Sequence, residues 1–323
     1  MSSLSNSTNK NIIKYWFKNL ENNRFRFKFC LTKILEIYSF SRHKTHKVYD
    51  NYLPKMPVIK HSNIENKMPV KPVVAVVIPA YIKNNFDKHS FYRLIDKLKM
   101  QTYHIKFVIV IDDNSPIKFN LPKDIIYYKL KHNSGPAKAR NKGIELSLHH
   151  KADIICFTDV DCVPDTNWSN YIVEKLLEDK TAHIVSGNTK SLNTNWFDVY
   201  HEINGTLNGR KFKDQDLLLY GVTCNLAIIR KVAENLRFDE IFTIAAGEDI
   251  DFCFRAINKE FNIKYCVNAL VYHDYDYKKY DFIDNLKSFI EQFSKYSKGE
   301  KILLDKNPSY YSFFNNTFEI PSF

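Results

Sequence analysis

The sequence has little glycine, no paired cysteine motif and no long apolar run. Only 8 of its 323 residues are glycine, so each glycine draws attention to its backbone position. None of the six cysteines forms a C-x-x-C pair, and this pattern favours neither a clustered zinc site nor a disulfide framework. No stretch approaches the roughly 20 apolar residues that cross a bilayer. The N-terminus lacks the apolar core of a secretory signal. We therefore expect a cytoplasmic protein.

The composition predicts a folded chain with a basic surface. Hydrophobic residues make up 44% and aromatic residues 15%, which is enough to build a sizeable core. The net charge of +11 is typical of partners such as nucleic acid, anionic membranes or phosphorylated ligands. A bias toward Lys, Asn and Ile also raises the charge without any partner. A non-enzymatic binder of nucleic acid or membrane surfaces, supported by "NNRFRFKF" (22–29), is therefore kept as one alternative.

Three regions of the sequence differ in composition and in the spacing of their apolar residues. Residues 1–70 form a basic and aromatic extension with a proline-rich linker, residues 71–275 alternate strands with helices, and residues 276–323 form a helical, aromatic segment. The predicted buried strands are "VVAVVIPAY", "KFVIVIDDNS" and "DIICFTDVD". Such alternation predicts an α/β fold, with a mostly parallel sheet covered by helices and with helical extensions at both ends.

Two aspartates, Asp159 and Asp161, follow the third predicted strand. Residues two apart in an extended backbone point the same way, and ligands of open α/β sheets bind at the carboxyl ends of strands. Two carboxylates side by side repel each other unless a cation or strong donors neutralise them. A bare D-x-D triplet is also typical of an acidic turn that ends a strand, so the neighbouring residues must decide.

Further polar stretches occur at predicted strand ends and helix starts. Asp112 and Asp113 follow the second strand, where an acidic residue can bind a ribose or a base, or can cap a helix or an Asx-turn. Gly135 and Pro136 begin a predicted helix whose free N–H groups favour anions, and Arg140 adds charge.

A last helix start is acidic. Glu248, Asp249 and Asp251 follow Gly247 in "AAGEDIDFCFRAI" and fall in the first turn of a predicted helix. Acids in a first turn ordinarily complement the helix macrodipole. Three acids beside a glycine, in a fold that also presents a D-x-D, favour a functional site over that ordinary interpretation.

The order of these blocks resembles the family 2 glycosyltransferases of the GT-A (Rossmann-like) fold. The blocks are "VVIPAY", "VIVIDDNS", "HNSGPAKARNKGIE", "CFTDVDCVPDTNW", "GVTCNLAIIRK", "FDEIF", "GEDIDFCFRA" and "VYHDY", and the resemblance runs from about Val73 to about His273. The resemblance implies a nucleotide-sugar donor, with UDP as its nucleotide, a bound Mn²⁺ or Mg²⁺, and transfer to an acceptor hydroxyl with inversion.

The same resemblance assigns roles to individual residues. Nucleotide-sugar binding is assigned to Pro79, Ala80, Tyr81, Asp112, Asp113, Arg140 and Asp159. Asp159 and Asp161 are assigned to the metal, and His273 to a third metal ligand, although a lone histidine is often structural. Asp249 is implied as the catalytic base, with Glu248 beside it. These residue types suit the chemistry, because a cation neutralises a departing diphosphate and hard oxygen ligands suit Mg²⁺ or Mn²⁺.

Some features limit the resemblance. Asn114 stands where relatives often have glycine, and the absence of a Q-x-x-R-W motif argues against a polymer-extruding synthase. A sugar-phosphate nucleotidyltransferase is an alternative, but it would need a glycine-rich loop where this chain has "IKNNFDKHSF" (82–91). Residues 193–216 are the expected acceptor loop, and glycan, lipid-linked and protein acceptors all stay open. No nucleic-acid partner is expected. Peripheral membrane contact through residues 1–70 is an open alternative to plain packing of that segment.

Overall fold

The structure is a computed structural model that describes residues 64–212, 216–278 and 281–310. The helical extension expected before residue 64, together with Cys30, lies outside the described residues. The strands are β1 (Val74–Ala80), β2 (Ile105–Asp112), β3 (Ile126–Lys129), β4 (Ile154–Phe157), β5 (Cys162–Pro164), β6 (Ile184–Ser191), β7 (Arg210–Lys211), β8 (Leu218–Tyr220), β9 (Leu226–Ile229) and β10 (Ile263–His273). The helices are α1 (Asn85–Lys99), α2 (Pro136–His149), α3 (Trp168–Glu178), α4 (Trp196–Asn204), α5 (Arg230–Asn235), α6 (Glu248–Asn258) and α7 (Phe282–Lys306), and a 3₁₀ turn covers Thr223–Asn225.

Eight strands form one mixed sheet in the order β3-β2-β1-β4-β9-β6-β10-β5. The pairs β2/β3, β1/β2, β1/β4 and β6/β10 are parallel. Strand β9 runs antiparallel to both of its neighbours, and β5 pairs antiparallel with β10 at one edge. The predicted mixed, mostly parallel sheet is confirmed. Strands β7 and β8 form a separate two-stranded ribbon.

The sequence explains the central strands and the first helix. Every residue of β4 is buried, and only one residue of β1 is not fully buried, as expected for strands covered on both faces. Helix α1 buries a face at helical spacing that includes Phe91, Leu94 and Leu98. Asn84 caps its first turn by accepting a hydrogen bond from the backbone N–H of Asp87.

A buried amide joins the 3₁₀ turn to three other elements. The side chain of Asn225 is 1% exposed, and it accepts a hydrogen bond from the indole N–H of Trp168 at 2.8 Å. Its amide group donates to the carbonyl oxygens of Asn188 at 3.0 Å and Ala269 at 2.9 Å. A Cβ atom on Gly187 would lie 2.4 Å from this amide, so glycine is required there. All three polar contacts fix the 3₁₀ turn against α3, β6 and β10.

The long helix α7 holds the start of α6 in place. Lys306 and Asn307, at the end of α7, contact Asp251 Oδ1 at 2.9 Å and 2.8 Å. Closer to the start of α6, a Cβ atom on Gly299 would lie 2.3 Å from the carbonyl oxygen of Ala246. The backbone of α7 therefore packs directly on the loop that precedes α6.

Two further findings concern membranes and thiols. Within the described ranges, no helix is both long enough and apolar enough to cross a membrane. The cysteines of the same ranges are buried and form no disulfide; they are Cys156, Cys162, Cys224, Cys253 and Cys266.

Candidate active site

The predicted site residues meet at one edge of the sheet. Because β1, β2, β4 and β10 all run in the same direction through the sheet, their carboxyl ends share that edge. Tyr81, Asp113 and His273 lie at or just beyond three of those ends, and Asp159 follows the fourth. The edge is where open α/β sheets bind ligands.

The predicted nucleotide residues of β1 and β2 lie side by side. The backbone N–H of Asp113 donates to the carbonyl oxygen of Ala80 at 2.8 Å, which fixes the two strand ends together. Next to Ala80, the Tyr81 side chain is 38% exposed and Pro79 is half-buried. Tyr81 is therefore available to a ligand, and its role and that of Pro79 stay predictions.

Asp112 and Asp113 organise the backbone of this edge. Asp113 accepts from the backbone N–H groups of Ser134 at 2.7 Å and Gly135 at 2.8 Å, and so holds the start of α2. Burial raises the pKa of Asp113, and these two N–H groups partly offset that rise. Asp112 accepts from Ser115 N at 2.7 Å and Tyr127 Oη at 2.6 Å. Both carboxylates thus accept hydrogen bonds from backbone N–H groups, as residues that cap a turn or a helix do. Direct nucleotide contact by either carboxylate stays a prediction.

Gly135 sits where two loops touch. Its φ of +88° is in the region that favours glycine, and an added Cβ would lie 2.4 Å from the carbonyl oxygen of Thr243. Thr243 belongs to the loop that leads into α6. The close approach therefore joins the start of α2 to the predicted catalytic loop.

The two aspartates of the D-x-D have different partners. Strand β4 ends at Phe157, so the alternation expected of an extended backbone does not continue to Asp161. Asp159 pairs with the Arg140 guanidinium at 3.0 Å, whereas Asp161 Oδ1 lies 3.3 Å from His273 Nε2. Burial raises the pKa of Asp161; His273 lowers it and the charge of Asp159 raises it further. The two carboxylates therefore interact, although they do not point in parallel.

Asp161 and His273, near the end of β10, each have a buried polar atom that could bind a metal ion. Among the described residues, the buried atoms Asp161 Oδ1 and His273 Nδ1 have no hydrogen-bond partner. Ligand atoms of Asp161, Cys162 and His273 all lie within 4.8 Å of one another. Carboxylate and imidazole donors in this arrangement fit a divalent cation. Cys162 was not among the metal ligands predicted from the sequence.

Arg140 joins the D-x-D to the acidic helix start. Its side chain is 2% exposed, and its guanidinium contacts Glu248 Oε1 at 2.8 Å as well as Asp159. Glu248 begins α6 directly after Gly247, whose φ of +84° sets the turn into the helix. The predicted contact of Arg140 with phosphates is untested, and its observed partners are both carboxylates.

Glu248 and Asp249, at the start of α6, have raised pKa values. Burial raises the pKa of Glu248, neighbouring Asp249 adds to the rise, and Arg140 opposes it. Burial likewise raises the pKa of Asp249, against the opposing charge of Arg140. The Asp249 carboxylate accepts from the backbone N–H of Ile250 at 2.8 Å and from that of Thr223 at 3.4 Å. A carboxylate with a raised pKa is a better proton acceptor near neutral pH than an ordinary aspartate.

Two neighbours of the site were not predicted as functional. Thr223, in the 3₁₀ turn, supplies a backbone N–H to Asp249, and no side-chain pattern in the sequence could have shown this. The Tyr275 ring lies 4.4 Å from the His273 ring and stacks on His201 at 4.2 Å. Tyr275 is the last residue of the block "VYHDY", so its place two positions after His273 was the available signal.

Part of the predicted acceptor loop has regular structure. The range 193–216 contains α4 and β7, and residues 213–215 lie outside the described residues. Asn195 caps α4 by accepting from the backbone N–H groups of Phe197 and Asp198. The role of residues 193–216 toward an acceptor stays a prediction.

Known proteins resemble this chain in sequence. The family model "Glycosyl transferase family 2" matches residues 75–237, about half of the chain. Two curated relatives, both named pre-mycofactocin glycosyltransferase, come from Mycobacterium tuberculosis strains CDC 1551 / Oshkosh and ATCC 25618 / H37Rv. Each is 29% identical over 227 residues, which cover 65% of this chain and 44% of the relative. The chain thus spans less than half the length of these relatives.

Solved structures resemble the fold. A crystal structure of GalNAc-T7 with UDP, GalNAc and Mn²⁺ aligns with a TM-score of 0.52 at 15% identity, over 75% of this chain and 52% of that one. A crystal structure of S. aureus TarS 1-349 with UDP aligns with a TM-score of 0.47 at 14% identity, over 76% and 73%. The first alignment confirms the predicted GT-A fold. With the match of the family model across the strand-end motifs, the chain belongs to glycosyltransferase family 2.

Proposed function

We propose that the protein transfers a sugar from a UDP-type nucleotide donor to an acceptor hydroxyl, with a bound Mn²⁺ or Mg²⁺ and with inversion at the sugar carbon. The observation that carries the proposal is the pair of acidic sites joined through Arg140. Asp161 and His273 form one site and Glu248 and Asp249 the other, and Arg140 contacts Asp159 and Glu248 between them.

The donor side is supported by the strand ends of β1 and β2. Tyr81 is partly exposed beside Ala80, and the backbone of Asp113 is tied to Ala80. Asp113 also orders the start of α2, whose N-terminal N–H groups and macrodipole favour an anion. The crystal structure of GalNAc-T7, which shares this fold, contains UDP.

The metal is assigned to Asp159, Asp161 and His273. When bound there, Mn²⁺ or Mg²⁺ would neutralise the charge that develops on the departing diphosphate. The buried, unpartnered Asp161 Oδ1 supports this assignment, because a buried acceptor without a hydrogen bond is costly unless a ligand satisfies it. Asp159 is 29% exposed, so its carboxylate is accessible from the ligand side even while Arg140 contacts it.

Asp249 is assigned as the general base. Glu248 is held in an ion pair with Arg140 through Oε1, whereas Asp249 has no cation partner and accepts only from backbone N–H groups, so each of its oxygens keeps a lone pair for an acceptor hydroxyl. Its raised pKa favours proton acceptance near neutral pH. A base separate from the metal residues supports a single displacement, and hence inversion.

The experiment is thermal unfolding of the full chain with UDP and with nucleotide sugars, in Mn²⁺, in Mg²⁺ and in EDTA. At a ligand concentration of about 100 Kd, binding should add about 2.7 kcal/mol to the free energy of unfolding, and only in the presence of metal. Asp161→Ala should lose this stabilisation. Full stabilisation by UDP in EDTA would contradict the metal assignment, and its absence with every nucleotide would contradict the proposed donor.

Slow hydrolysis of the stabilising nucleotide sugar identifies the donor further, because transfer to water needs no acceptor. Glycan, lipid-linked and protein acceptors are then compared with that donor. Release of UDP that depends on one acceptor class would identify the class. Release that is equal with and without each acceptor would reject all three.

A further inference from the structure

Three different kinds of ligand converge where β5 meets β10. Cys162 pairs directly with His273 across the two antiparallel strands, so their side chains share one face of the sheet. Asp161, immediately before β5, reaches the same point, with its Oδ1 atom 3.3 Å from His273 Nε2. One oxygen, one sulfur and one nitrogen atom thus lie within 4.8 Å of one another.

The thiol distinguishes this cluster from a site made for a hard cation. Mg²⁺ and Mn²⁺ prefer oxygen ligands, whereas Zn²⁺ and its softer relatives accept thiolate, imidazole and carboxylate together. Zinc sites that stay open to a ligand typically have three protein ligands and a free fourth position. Asp161, Cys162 and His273 supply that number and that mixture.

The surroundings hold these atoms only weakly. The Cys162 side chain is 0% exposed, and its thiol contacts Cys224, with a long hydrogen bond of 3.8 Å to the carbonyl oxygen of that residue. Asp161 Oδ1 lies 3.3 Å from His273 Nε2, within ion-pair distance, and it accepts no hydrogen bond within the described part of the chain. When buried polar atoms lie close together without hydrogen bonds to one another, their arrangement is the one expected of ligands around a single metal ion.

We infer that Asp161, Cys162 and His273 form a site for a thiophilic divalent cation of the Zn²⁺ class. The site shares Asp161 and His273 with the metal of the proposed transfer reaction. A Zn²⁺-class ion bound through Cys162 therefore displaces Mn²⁺ or Mg²⁺ and prevents metal-dependent binding of UDP. This consequence for UDP rests on the proposed function, whereas the thiol ligation itself does not.

The test is a titration of the full-length, reduced protein with Cd²⁺, followed by the ultraviolet charge-transfer band that a thiolate–cadmium bond produces. The wild-type protein should develop the band at one equivalent. Cys162→Ser should lose it and bind Cd²⁺ at least about tenfold more weakly, since even the loss of an outer-shell partner costs 10–100-fold in affinity. Cys266→Ser, which removes another buried thiol of the described residues, is the matched control and should retain the band.

A second measurement avoids dependence on the folding of the Cys162 variant. Co²⁺ bound to the wild-type protein should show a sulfur-to-cobalt charge-transfer band, and His273→Gln should reduce the affinity for Co²⁺ while Cys162 is still present. A Co²⁺ spectrum with only oxygen and nitrogen ligands would overturn the inference. A Cd²⁺ band that persists unchanged in Cys162→Ser would overturn it as well.

The two proposals fail in different ways. If UDP stabilises the wild-type protein with Mn²⁺ but no thiolate band appears, the thiophilic site is wrong and the transferase stands. If the band depends on Cys162 but UDP never stabilises the protein, the metal site stands and the donor is wrong. If both signals appear, Zn²⁺ should abolish the UDP–Mn²⁺ stabilisation in the wild-type protein, and retention of that stabilisation would reject the competition.

Discussion

Two pairs of carboxylates at the same edge of the sheet differ in how the protein satisfies them. In Asp112 and Asp113, each oxygen accepts a hydrogen bond from a backbone N–H group or a tyrosine hydroxyl. In Asp161 and Glu248, by contrast, Asp161 Oδ1 and Glu248 Oε2 are buried and find no hydrogen-bond partner in the described ranges. The first pair completes the fold, and the second pair leaves acceptor capacity for something that the fold does not supply.

The difference predicts which acids have a structural role and which bind a ligand or take part in the reaction. A buried acceptor without a partner costs about 1–3 kcal/mol, so it persists where a ligand compensates or where function needs it. Perturbed acids in a cleft are candidates for such a role. The comparison therefore makes separable predictions for the two pairs and for the residues that join them.

The largest effect is expected at Asp249, on the reaction side. Asp249→Asn keeps the size of the side chain, and its one amide oxygen can still accept the stronger hydrogen bond, from Ile250, but it cannot take a proton from an acceptor. Turnover should fall about 10²–10⁴-fold while UDP–Mn²⁺ binding stays near that of the wild type. Steady-state kinetics and a UDP titration on one preparation measure the two quantities.

Two variants sharpen this result. Glu248→Gln should reduce turnover less, because Glu248 contacts Arg140 and is not the assigned base. Asp305→Asn, on the exposed face of α7, should change neither quantity. Wild-type turnover in Asp249→Asn would remove it as the base, and loss of UDP binding would move it to the donor side.

The next largest effect is expected at Arg140, which joins the two acidic sites. Arg140→Gln removes a buried positive charge and leaves Glu248 buried without its ion pair. Removing one partner of a buried pair should lower the free energy of unfolding by about 3–5 kcal/mol, measured by urea denaturation.

Lys142, on the same helix, provides the control for Arg140. It pairs with Glu145 at the surface, so Lys142→Gln should cost about 1 kcal/mol or less. Equal losses in Arg140→Gln and Lys142→Gln would show that the buried bridge adds nothing beyond an ordinary surface pair.

A third effect is expected when one acid of each pair, Asp113 or Asp161, is replaced by asparagine. Asp113→Asn turns an amide N–H₂ group toward backbone N–H donors and should destabilise the protein by about 1–3 kcal/mol. Asp161→Asn should leave stability nearly unchanged, because a buried carboxylate oxygen without a hydrogen bond becomes neutral while its charge contact with His273 at 3.3 Å is lost. Urea denaturation without metal measures both free energies of unfolding. A larger loss of stability in Asp161→Asn than in Asp113→Asn would contradict the different roles assigned to the two acids.

The last prediction concerns the pH dependence of stability. Burial raises the pKa of Glu248 from its ordinary value of 4.5 to about 7, so between these values the folded state binds more protons than the unfolded state. The free energy of unfolding should therefore fall as pH rises through this window, by at most about 1.4 kcal/mol per pH unit from this group. Glu248→Gln should flatten the slope measured by urea denaturation, and Glu145→Gln, an exposed control, should not. An identical slope in Glu248→Gln would assign it to other groups.

The sequence predicts those features of the fold that depend on residues close to one another along the chain. The buried strands β1, β2 and β4 could be predicted because a strand covered on both faces reads as an apolar run. The acidic first turn of α6 could be predicted because Gly247 and the apolar spacing after it mark a helix start. These features depend on neighbours within a few residues.

Features that depend on distant partners could not be predicted. Arg140 and Glu248 are 108 residues apart, and no local pattern indicates that they meet. The antiparallel strand β9, inserted between β4 and β6, depends on pairing between separate segments. Cys162 has the same apolar environment whether or not it binds a cation, so only its distance to Asp161 and His273 distinguishes the two.

The attachment of α7 to Asp251 has a consequence for the order in which the protein matures on the ribosome. Strands β1 to β4, with the loops of the donor side, lie before residue 158 and can pair as they emerge, since domains fold as the chain is made. The loop that carries Asp249 is packed against Gly299, and Asp251 is held by Lys306, so this loop is completed only when α7 has been synthesised. A nascent chain that stops within α7 should therefore acquire a donor side before it acquires a positioned base.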